Sequence, residues 1–383
     1  MIFFTSLGHA LMHLVELIYA GILPLLIIHF DLTLVQAGVL VFPNLVMLGL
    51  GSLPAGVLSD RWSSYKMLLL FFFGSAACAL AAGLSNSFWM LASTLGAMGL
   101  FLSIYHPTGL ALISMGVRRK GRALGIHGVF GSLGVAASPF LAGLMGVKFG
   151  WQSAFYIPAA FTFLAGVALL IFPFRISHRE VPHKPGGTPG GGPPDYRRTL
   201  VWLYGVIIVL GFVYRGLMTY MPKYIGETVH VEWLSAVVAG GLFSSLVLIA
   251  GAIGQIWGGH LSDRIEPFRI YIRIVPLLMP LLLASFFLTG YPLVIALCAY
   301  FFFFFATQPL ENHMLARFTP PRLRSTGYGL KFGLNLGLGA LAAPFCGWIG
   351  DIWGMPWIFY TLAMTLLLAA AGVFGLRKAI RKT

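Results

Sequence analysis

Charge is the property that this sequence has least of. Only 9% of its 383 residues are Asp, Glu, Lys or Arg, whereas 58% are hydrophobic and the mean hydropathy is +0.87. A water-soluble domain of this length cannot cover its surface with so few charged side chains. The composition therefore excludes a soluble globular protein and predicts an integral membrane protein.

Cysteine and the common catalytic motifs are scarce or missing as well. The three cysteines, Cys78, Cys298 and Cys346, each fall inside a hydrophobic run, which favours packing over disulfide pairing. No phosphate-binding loop and no H-E-x-x-H motif occurs, although His9 and His13 have a spacing that can mimic metal ligands. We therefore predict no enzyme activity, no cofactor and no metal site.

Hydrophobic runs of about twenty residues are abundant, and each is long enough to cross a hydrocarbon core of about 30 Å. The runs are rich in Leu, Phe and Ala without period-two alternation, which favours helices over a barrel. The sequence predicts an all-α fold with twelve transmembrane spans, at roughly 4–29, 34–58, 67–84, 88–115, 124–147, 152–174, 199–221, 235–258, 270–289, 292–317, 327–350 and 357–376.

The middle of the chain separates six spans from six. The segment RISHREVPHKPGGTPGGGPPDYRR is rich in Gly and Pro and cannot pack, so we interpret it as a flexible cytoplasmic linker. This interpretation divides the chain into an N-terminal bundle at 1–174, a linker at 175–198 and a C-terminal bundle at 199–383.

The two halves repeat several landmarks in the same order. GVLSDRWSSYK follows the second span and GHLSDRIEPFR follows the eighth, while YHPTG in span four matches TQPLE in span ten. Such matches are typical of an internal structural repeat. They pair His106 and Pro107 with Gln308 and Pro309. The prolines predict bends in spans four and ten, and the polar residues before them are candidates for contact with substrate or protons.

The G-x-L-x-D-R pattern between spans two and three, with its repeat between eight and nine, resembles motif A of the major facilitator superfamily. SLGHALM, HFDLTLVQAGVL, YHPTG and GSLGVAASP further resemble exporters of the fosmidomycin-resistance type. The resemblance implies two pseudo-symmetric six-helix bundles and a motif that closes the cytoplasmic side. The alternative is that its positive charges only stop a span. The candidate gate residues are Gly56, Asp60, Arg61, Gly259, Asp263 and Arg264.

Four charged residues lie inside predicted spans, where each costs about 2.5 to 3.5 kcal/mol on insertion scales. They are Glu16, Arg215, Glu311 and Lys331. His9, His13 and Glu16 share one stripe of span one, which predicts a polar interior wall, although such residues can also simply join helices. Glu16 and Arg215 lie at similar depth in opposite halves. We expect them to meet and to link protonation to conformation, the alternative being a static pair.

Spans ten and eleven carry a second polar group, formed by Glu311, Lys331 and Asn335. Together with Arg215, Lys331 makes the interior capable of holding an anion. The alternative is that the two cations only neutralise the two buried carboxylates.

The distribution of basic residues predicts the orientation. All but four of the 25 Lys and Arg residues fall on one side of the predicted membrane, the exceptions being Lys148, Arg215, Lys223 and Lys331. By the positive-inside rule both termini are cytoplasmic in an inner membrane, and the net charge of +14 does not indicate nucleic-acid binding.

These features together predict a secondary active transporter that works by alternating access as a monomer. Without a nucleotide-binding motif, an ion gradient must drive it, and histidines with buried carboxylates favour protons. The resemblance to exporters of the fosmidomycin-resistance type implies proton antiport that exports a small, possibly anionic, molecule or drug, which is the leading hypothesis. The alternatives are proton-coupled uptake of an anionic metabolite and a membrane sensor with a transporter-like fold.

Overall fold

The structure is a computed structural model, and it describes residues 1–116, 120–174, 196–319 and 324–380. Throughout these residues the regular structure is helical, and twelve helices are long and apolar enough to cross a membrane. The predicted all-α fold is therefore confirmed. The helices are α1 Ile2–Phe30, α2 Leu34–Arg61, α3 Ser64–Gly83, α4 Phe88–Leu102, α5 Tyr105–Gly116, α6 Lys120–Phe149, α7 Ser153–Ile171, α8 Tyr196–Thr228, α9 Ala236–Ser262, α10 Pro267–Phe287, α11 Gly290–Phe318, α12 Arg324–Phe332, α13 Ala342–Trp353 and α14 Met355–Ile380.

Span seven is longer than its hydrophobic run. Helix α8 covers Tyr196–Thr228, whereas the sequence predicts a span over 199–221. Residues 196–198 therefore belong to a helix and not to the linker, and 175–195 lie outside the described residues. Pro222 does not end α8, because neighbouring helices in a bundle can accommodate a proline within a span.

Glycines let the two halves approach closely along α6–α9 and α2–α13. A Cβ atom on Gly241 would lie 2.4 Å from the carbonyl oxygen of Pro139, and one on Gly38 would lie 2.4 Å from that of Ala343. Distances of this kind exclude any larger side chain unless the backbone moves. Small residues give membrane helices their closest contacts, so these two interfaces depend on glycine.

The halves are also joined at the end of the bundle opposite the chain termini. Asp351, in the last turn of α13, accepts hydrogen bonds from the backbone N–H groups of Leu34 and Val35, at 2.7 and 2.8 Å. These N–H groups start α2 and have no helical partner, and the helix dipole favours a carboxylate there. Nearby, the Tyr220 hydroxyl contacts the carbonyl oxygens of Leu34 and Ala343, at 2.9 and 2.8 Å.

The two proline-containing spans differ. Span four is interrupted at Ser103 and Ile104, and α5 restarts at Tyr105, so that Pro107 occupies the first turn of a helix. Proline is tolerated there because the first N–H groups of a helix lack partners. Span ten, in contrast, is one continuous helix through Pro309. Span eleven contains a π-helical turn at Gly333–Leu338, a form that occurs frequently at functional sites.

Candidate functional site

Glu16 and Arg215 meet at the boundary between the halves. Nη1 of Arg215 on α8 lies 2.7 Å from Oε1 of Glu16 on α1, and both side chains are at least 96% buried. The second carboxylate oxygen, Oε2, lies 2.9 Å from Nδ1 of His13. Burying both charges away from water is costly unless they pair closely, and this geometry provides that pairing.

The space beside this ion pair is small. A cavity of about 20 Å³ borders both side chains, which is room for about one water molecule. A drug-sized ligand needs a pocket of roughly 300 Å³ or more. The ion pair must therefore separate, or the halves must move, before a substrate can occupy this position. The cavity is lined by Glu16, Leu17, Tyr19, Ala20, Val41, Leu45, Arg215, Met218 and Thr219.

Four histidines from three helices form a cluster next to Glu16. The ring of His9 lies 5.0 Å from that of His13, 5.4 Å from that of His106 and 4.1 Å from that of His127, measured between centroids. His13 and His106 are 5.3 Å apart. The structure thus brings two predicted residues of α1 together with the predicted histidine of span four.

Packing around the cluster fixes the position of His9. Its Nδ1 lies 2.8 Å from the carbonyl oxygen of His127, and a Cβ atom on Gly131 would lie 2.3 Å from its ring. The hydroxyl of Tyr105 contacts the carbonyl oxygen of Thr5, which attaches the start of α5 to α1. The sequence allows His127 to face the same interior, but a lone histidine in a span more often fills a packing role, so His127 is not among the predicted site residues.

His106 reaches the other half. Its ring stacks on that of Phe332 at a centroid distance of 5.5 Å and an interplanar angle of 10°. Phe332 ends α12, directly after Lys331, and immediately precedes the π-helical turn. The histidine cluster of the first half therefore contacts the segment of the second half that carries Lys331.

Glu311 and Lys331 form that second pair. Nζ of Lys331 lies 2.9 Å from Oε2 of Glu311 and 2.8 Å from Oδ1 of Asn312, and the Tyr271 hydroxyl donates to Oε1 of Glu311 at 3.2 Å. All of these residues belong to the second half. The sequence left open whether Glu311 and Lys331 pair with each other, and the structure answers that question.

Two further candidate residues have different surroundings. Gln308 accepts a hydrogen bond from Gln255 at 3.3 Å, and Gln255 lies 3.4 Å from the Ser132 hydroxyl of the first half. Asn335, in the π-helical turn, donates to the carbonyl oxygen of Ile207 at 3.2 Å. Neither residue has a described hydrogen bond to Glu16 or Arg215.

The candidate gate motif shows one symmetric contact. A Cβ atom on Gly56 would lie 3.5 Å from Pro107, and one on Gly259 would lie 4.0 Å from Pro309, so each motif glycine faces the proline of its own half. Arg61 is exposed, as are Asp263 and Arg264, whereas the Asp60 side chain lies outside the described residues. A role of the motif in closing the transporter stays a prediction.

Sequence reasoning missed Asp351 entirely. It stands in GWIGDIWG at the end of span eleven, where an acidic residue suggests only a position in water. Its partners on α2 are more than 300 residues away in sequence. Pairing between spans two and eleven is a property of the folded bundle, so only the structure could reveal it.

Comparison with known proteins gives concordant results. The profile of the Major Facilitator Superfamily matches residues 5–332. A fosmidomycin resistance protein of Escherichia coli (strain K12) is 24% identical over 375 residues, which cover 96% of this chain and 91% of the relative. The multidrug resistance protein MdtG of Proteus mirabilis (strain HI4320) is 26% identical over 247 residues, covering 60% and 58%.

The fold is shared with a solved transporter. A crystal structure of a bacterial homologue of the human lysosomal transporter Spinster, in an inward-facing and occupied conformation, superposes with a TM-score of 0.85. The match covers 100% of this chain and 97% of the other at 16% sequence identity. This likeness supports the predicted arrangement of two six-helix bundles.

Proposed function

This chain belongs to the major facilitator superfamily, and we propose that it exports a small anionic molecule in exchange for protons. Membership makes it a multi-pass membrane transporter of a small-molecule substrate and not an enzyme. The further proposals are the direction of transport, the coupling ion, the charge of the substrate, the monomeric state and an inner-membrane location with both termini in the cytoplasm.

The observation that carries the proposal is the ion pair between the halves. In alternating access the two bundles move against each other around a site near the middle of the membrane. Glu16 and Arg215 bridge the bundles at 2.7 Å and leave space for about one water. A substrate that occupies this position must break the pair, so binding and movement of the bundles are linked.

Arg215 also supports an anionic substrate. Its Nε atom is buried and has no hydrogen-bond partner in the described structure. An unpaired buried donor costs about 1 to 3 kcal/mol, and more when it is charged. A carboxylate or phosphonate group can bind Nε together with Nη2, along the edge of the guanidinium that Glu16 does not occupy, since a planar guanidinium binds such groups with two bonds.

Proton handling fits the second pair better than the first. Arginine stays charged in proteins, whereas a buried lysine can release its proton. A lysine partner can exchange a proton with its carboxylate, whereas an arginine partner cannot. We propose Glu311 as the carboxylate that carries the coupled proton.

The direction of transport follows the relatives. Two similar proteins are a fosmidomycin resistance protein and a multidrug resistance protein. Resistance by transport requires removal of the compound from the cell, which favours export. Fosmidomycin is accordingly the first compound to test.

The experiment uses purified protein in liposomes that are loaded with fosmidomycin and a pH-sensitive dye, with an acidic medium outside. Exchange predicts that the lumen acidifies faster as the compound leaves, and that the rate falls at least tenfold in Glu311→Gln. Glu227→Gln is the matched control, because Glu227 forms a surface pair with Lys223.

Other outcomes separate the alternatives. Alkalinisation of the lumen during efflux would indicate symport and would support proton-coupled anion uptake instead. Compound movement without any change of luminal pH would refute proton coupling. If fosmidomycin does not move, the same assay is repeated with anionic metabolites and other antimicrobial compounds, and failure with every anionic compound would contradict the proposal.

A further inference from the structure

We propose that His9, His13 and His106 form a binding site for a divalent transition-metal cation of the Zn²⁺ or Co²⁺ kind. One ring nitrogen from each histidine lies within 4.8 Å of one ring nitrogen from each of the others. The site goes beyond the exchange of a small molecule for protons and does not depend on it.

The geometry is close to that of a three-histidine metal site. At Zn–N distances of about 2.0 to 2.1 Å, tetrahedral ligands have nitrogens about 3.4 Å apart. The three rings therefore need to close by about 1.4 Å at most.

Hydrogen bonds orient two of the three ligands. Nδ1 of His9 is 2.8 Å from the carbonyl oxygen of His127, and Nδ1 of His13 is 2.9 Å from Oε2 of Glu16. Metal-binding histidines almost always use one nitrogen for such a contact, to a carbonyl or carboxylate, and the other for the metal. In this arrangement Nε2 of both rings is the nitrogen that remains for a cation.

The third ligand, His106, is positioned by the start of α5 and by stacking on Phe332. His106 stands in the first turn of α5, directly after the interruption of span four, and its ring stacks on Phe332. A metal ion bound by all three histidines would tie α1 to α5. The spacing of His9 and His13 alone did not predict a metal site, because the third histidine comes from another span.

The ligand set selects the kind of ion. Three neutral imidazoles suit Zn²⁺, Co²⁺, Ni²⁺ and Cu²⁺, whereas Mg²⁺ and Ca²⁺ require oxygen ligands. Glu16 and Arg215 neutralise each other beside the cluster, so the ion pair adds no net positive charge that would repel a cation. Three protein ligands leave a fourth position open for water or for an anionic group of a bound compound.

Cobalt is the probe of choice, because tetrahedral Co²⁺ gives visible absorption bands. The protein is purified in detergent without a polyhistidine tag and titrated with Co²⁺, followed by competition with Zn²⁺. We expect one equivalent of Co²⁺ to bind with tetrahedral bands. Each of His9→Gln, His13→Gln and His106→Gln should weaken binding at least tenfold, whereas His313→Gln, an exposed histidine on α11, should not.

A replacement that keeps a ligand guards against variants that merely unfold. His106→Cys should still bind Co²⁺ and should add a thiolate-to-cobalt charge-transfer band in the near ultraviolet. Absence of tetrahedral bands in the wild-type protein would overturn the proposal. Equal weakening in His313→Gln, or a His106→Cys variant that binds cobalt without the new band, would also overturn it. Because binding is measured without transport, failure of the exchange proposal leaves this result unaffected.

Discussion

The two buried ion pairs share their chemistry but differ in what they connect. Glu16 and Arg215, at 2.7 Å, join α1 of the first half to α8 of the second. Glu311 and Lys331, at 2.9 Å, join α11 to α12 within the second half. A contact between the halves must change when the bundles move, whereas a contact within one half can persist. The same kind of ion pair can thus hold the two halves together in one place and stabilise a single half in the other.

The largest effect is expected for Glu16→Gln. Removing one partner of a buried ion pair costs about 3 to 5 kcal/mol, because the other charge stays buried without compensation. The conformation in which α1 and α8 are joined by this pair should lose most of its population. We therefore expect transport in the liposome assay to fall about a hundredfold. Glu227→Gln, in the surface pair, should change transport less than twofold.

The double variant Glu16→Gln with Arg215→Gln distinguishes the contribution of the ion pair to stability from the contribution of Arg215 to substrate binding. Two neutral amides can hydrogen-bond, so the thermal stability of the protein in detergent should recover. Transport should not recover, because the proposed anion-binding arginine is gone. Full transport in the double variant would show that the pair is only a structural contact.

Glu311→Gln should have a smaller effect on stability. Lys331 loses its carboxylate but keeps Asn312 as a partner at 2.8 Å. We expect a loss of about 1 to 3 kcal/mol in unfolding free energy, measured by denaturation in detergent. Adding Lys331→Met should restore most of this loss, since no buried charge then remains. A loss as large as that in Glu16→Gln would remove the distinction between the two pairs.

Asp351→Asn tests a second contact between the halves. The variant loses the charge and one of two hydrogen bonds to the start of α2, which we expect to cost about 2 kcal/mol. Cys346 is only 1% exposed and lies on the same helix, so it reports opening of α13. In a background with Cys78→Ser and Cys298→Ser, its labelling by a thiol reagent should be about thirtyfold faster.

The control for this variant is Asp31→Asn. Asp31 lies at the same end of the bundle with a φ of 51°, a conformation that Asn also tolerates, so labelling should be unchanged. Equal labelling of Cys346 in the wild type and in Asp351→Asn would show that the carboxylate does not hold the halves together.

The sequence predicts much of this fold because hydropathy and repeats are local signals. Span lengths follow from membrane thickness, and the observed helices begin and end within a few residues of most predicted spans. The pairing of Glu16 with Arg215 is predictable because isolated charges are costly in the membrane and because the two residues lie at similar depth in opposite halves.

The contacts that sequence reasoning missed depend on packing. His127 contacts His9 through its carbonyl oxygen at 2.8 Å and through its ring at a centroid distance of 4.1 Å, and the sequence does not show which histidines of separate spans meet. The sequence predicts proton coupling at Glu16. In the structure Glu16 pairs with an arginine and Glu311 with a lysine, and for this reason we propose Glu311 as the proton carrier. Pro107 and Pro309 occupy matching positions, yet only span four is interrupted, since other helices decide whether a proline breaks a span.

The smallest effect is expected for Tyr271→Phe, within the second half. The Tyr271 hydroxyl donates to Glu311 at 3.2 Å, so its loss should cost about 1 kcal/mol in unfolding free energy. Tyr300→Phe is a matched control, because Tyr300 is equally buried and its hydroxyl has no partner in the described structure. Removing an unpaired buried hydroxyl should be neutral or slightly stabilising. If both variants lose the same stability, the tyrosine contributes through packing alone, and the Glu311–Lys331 pair does not depend on a third group for its position.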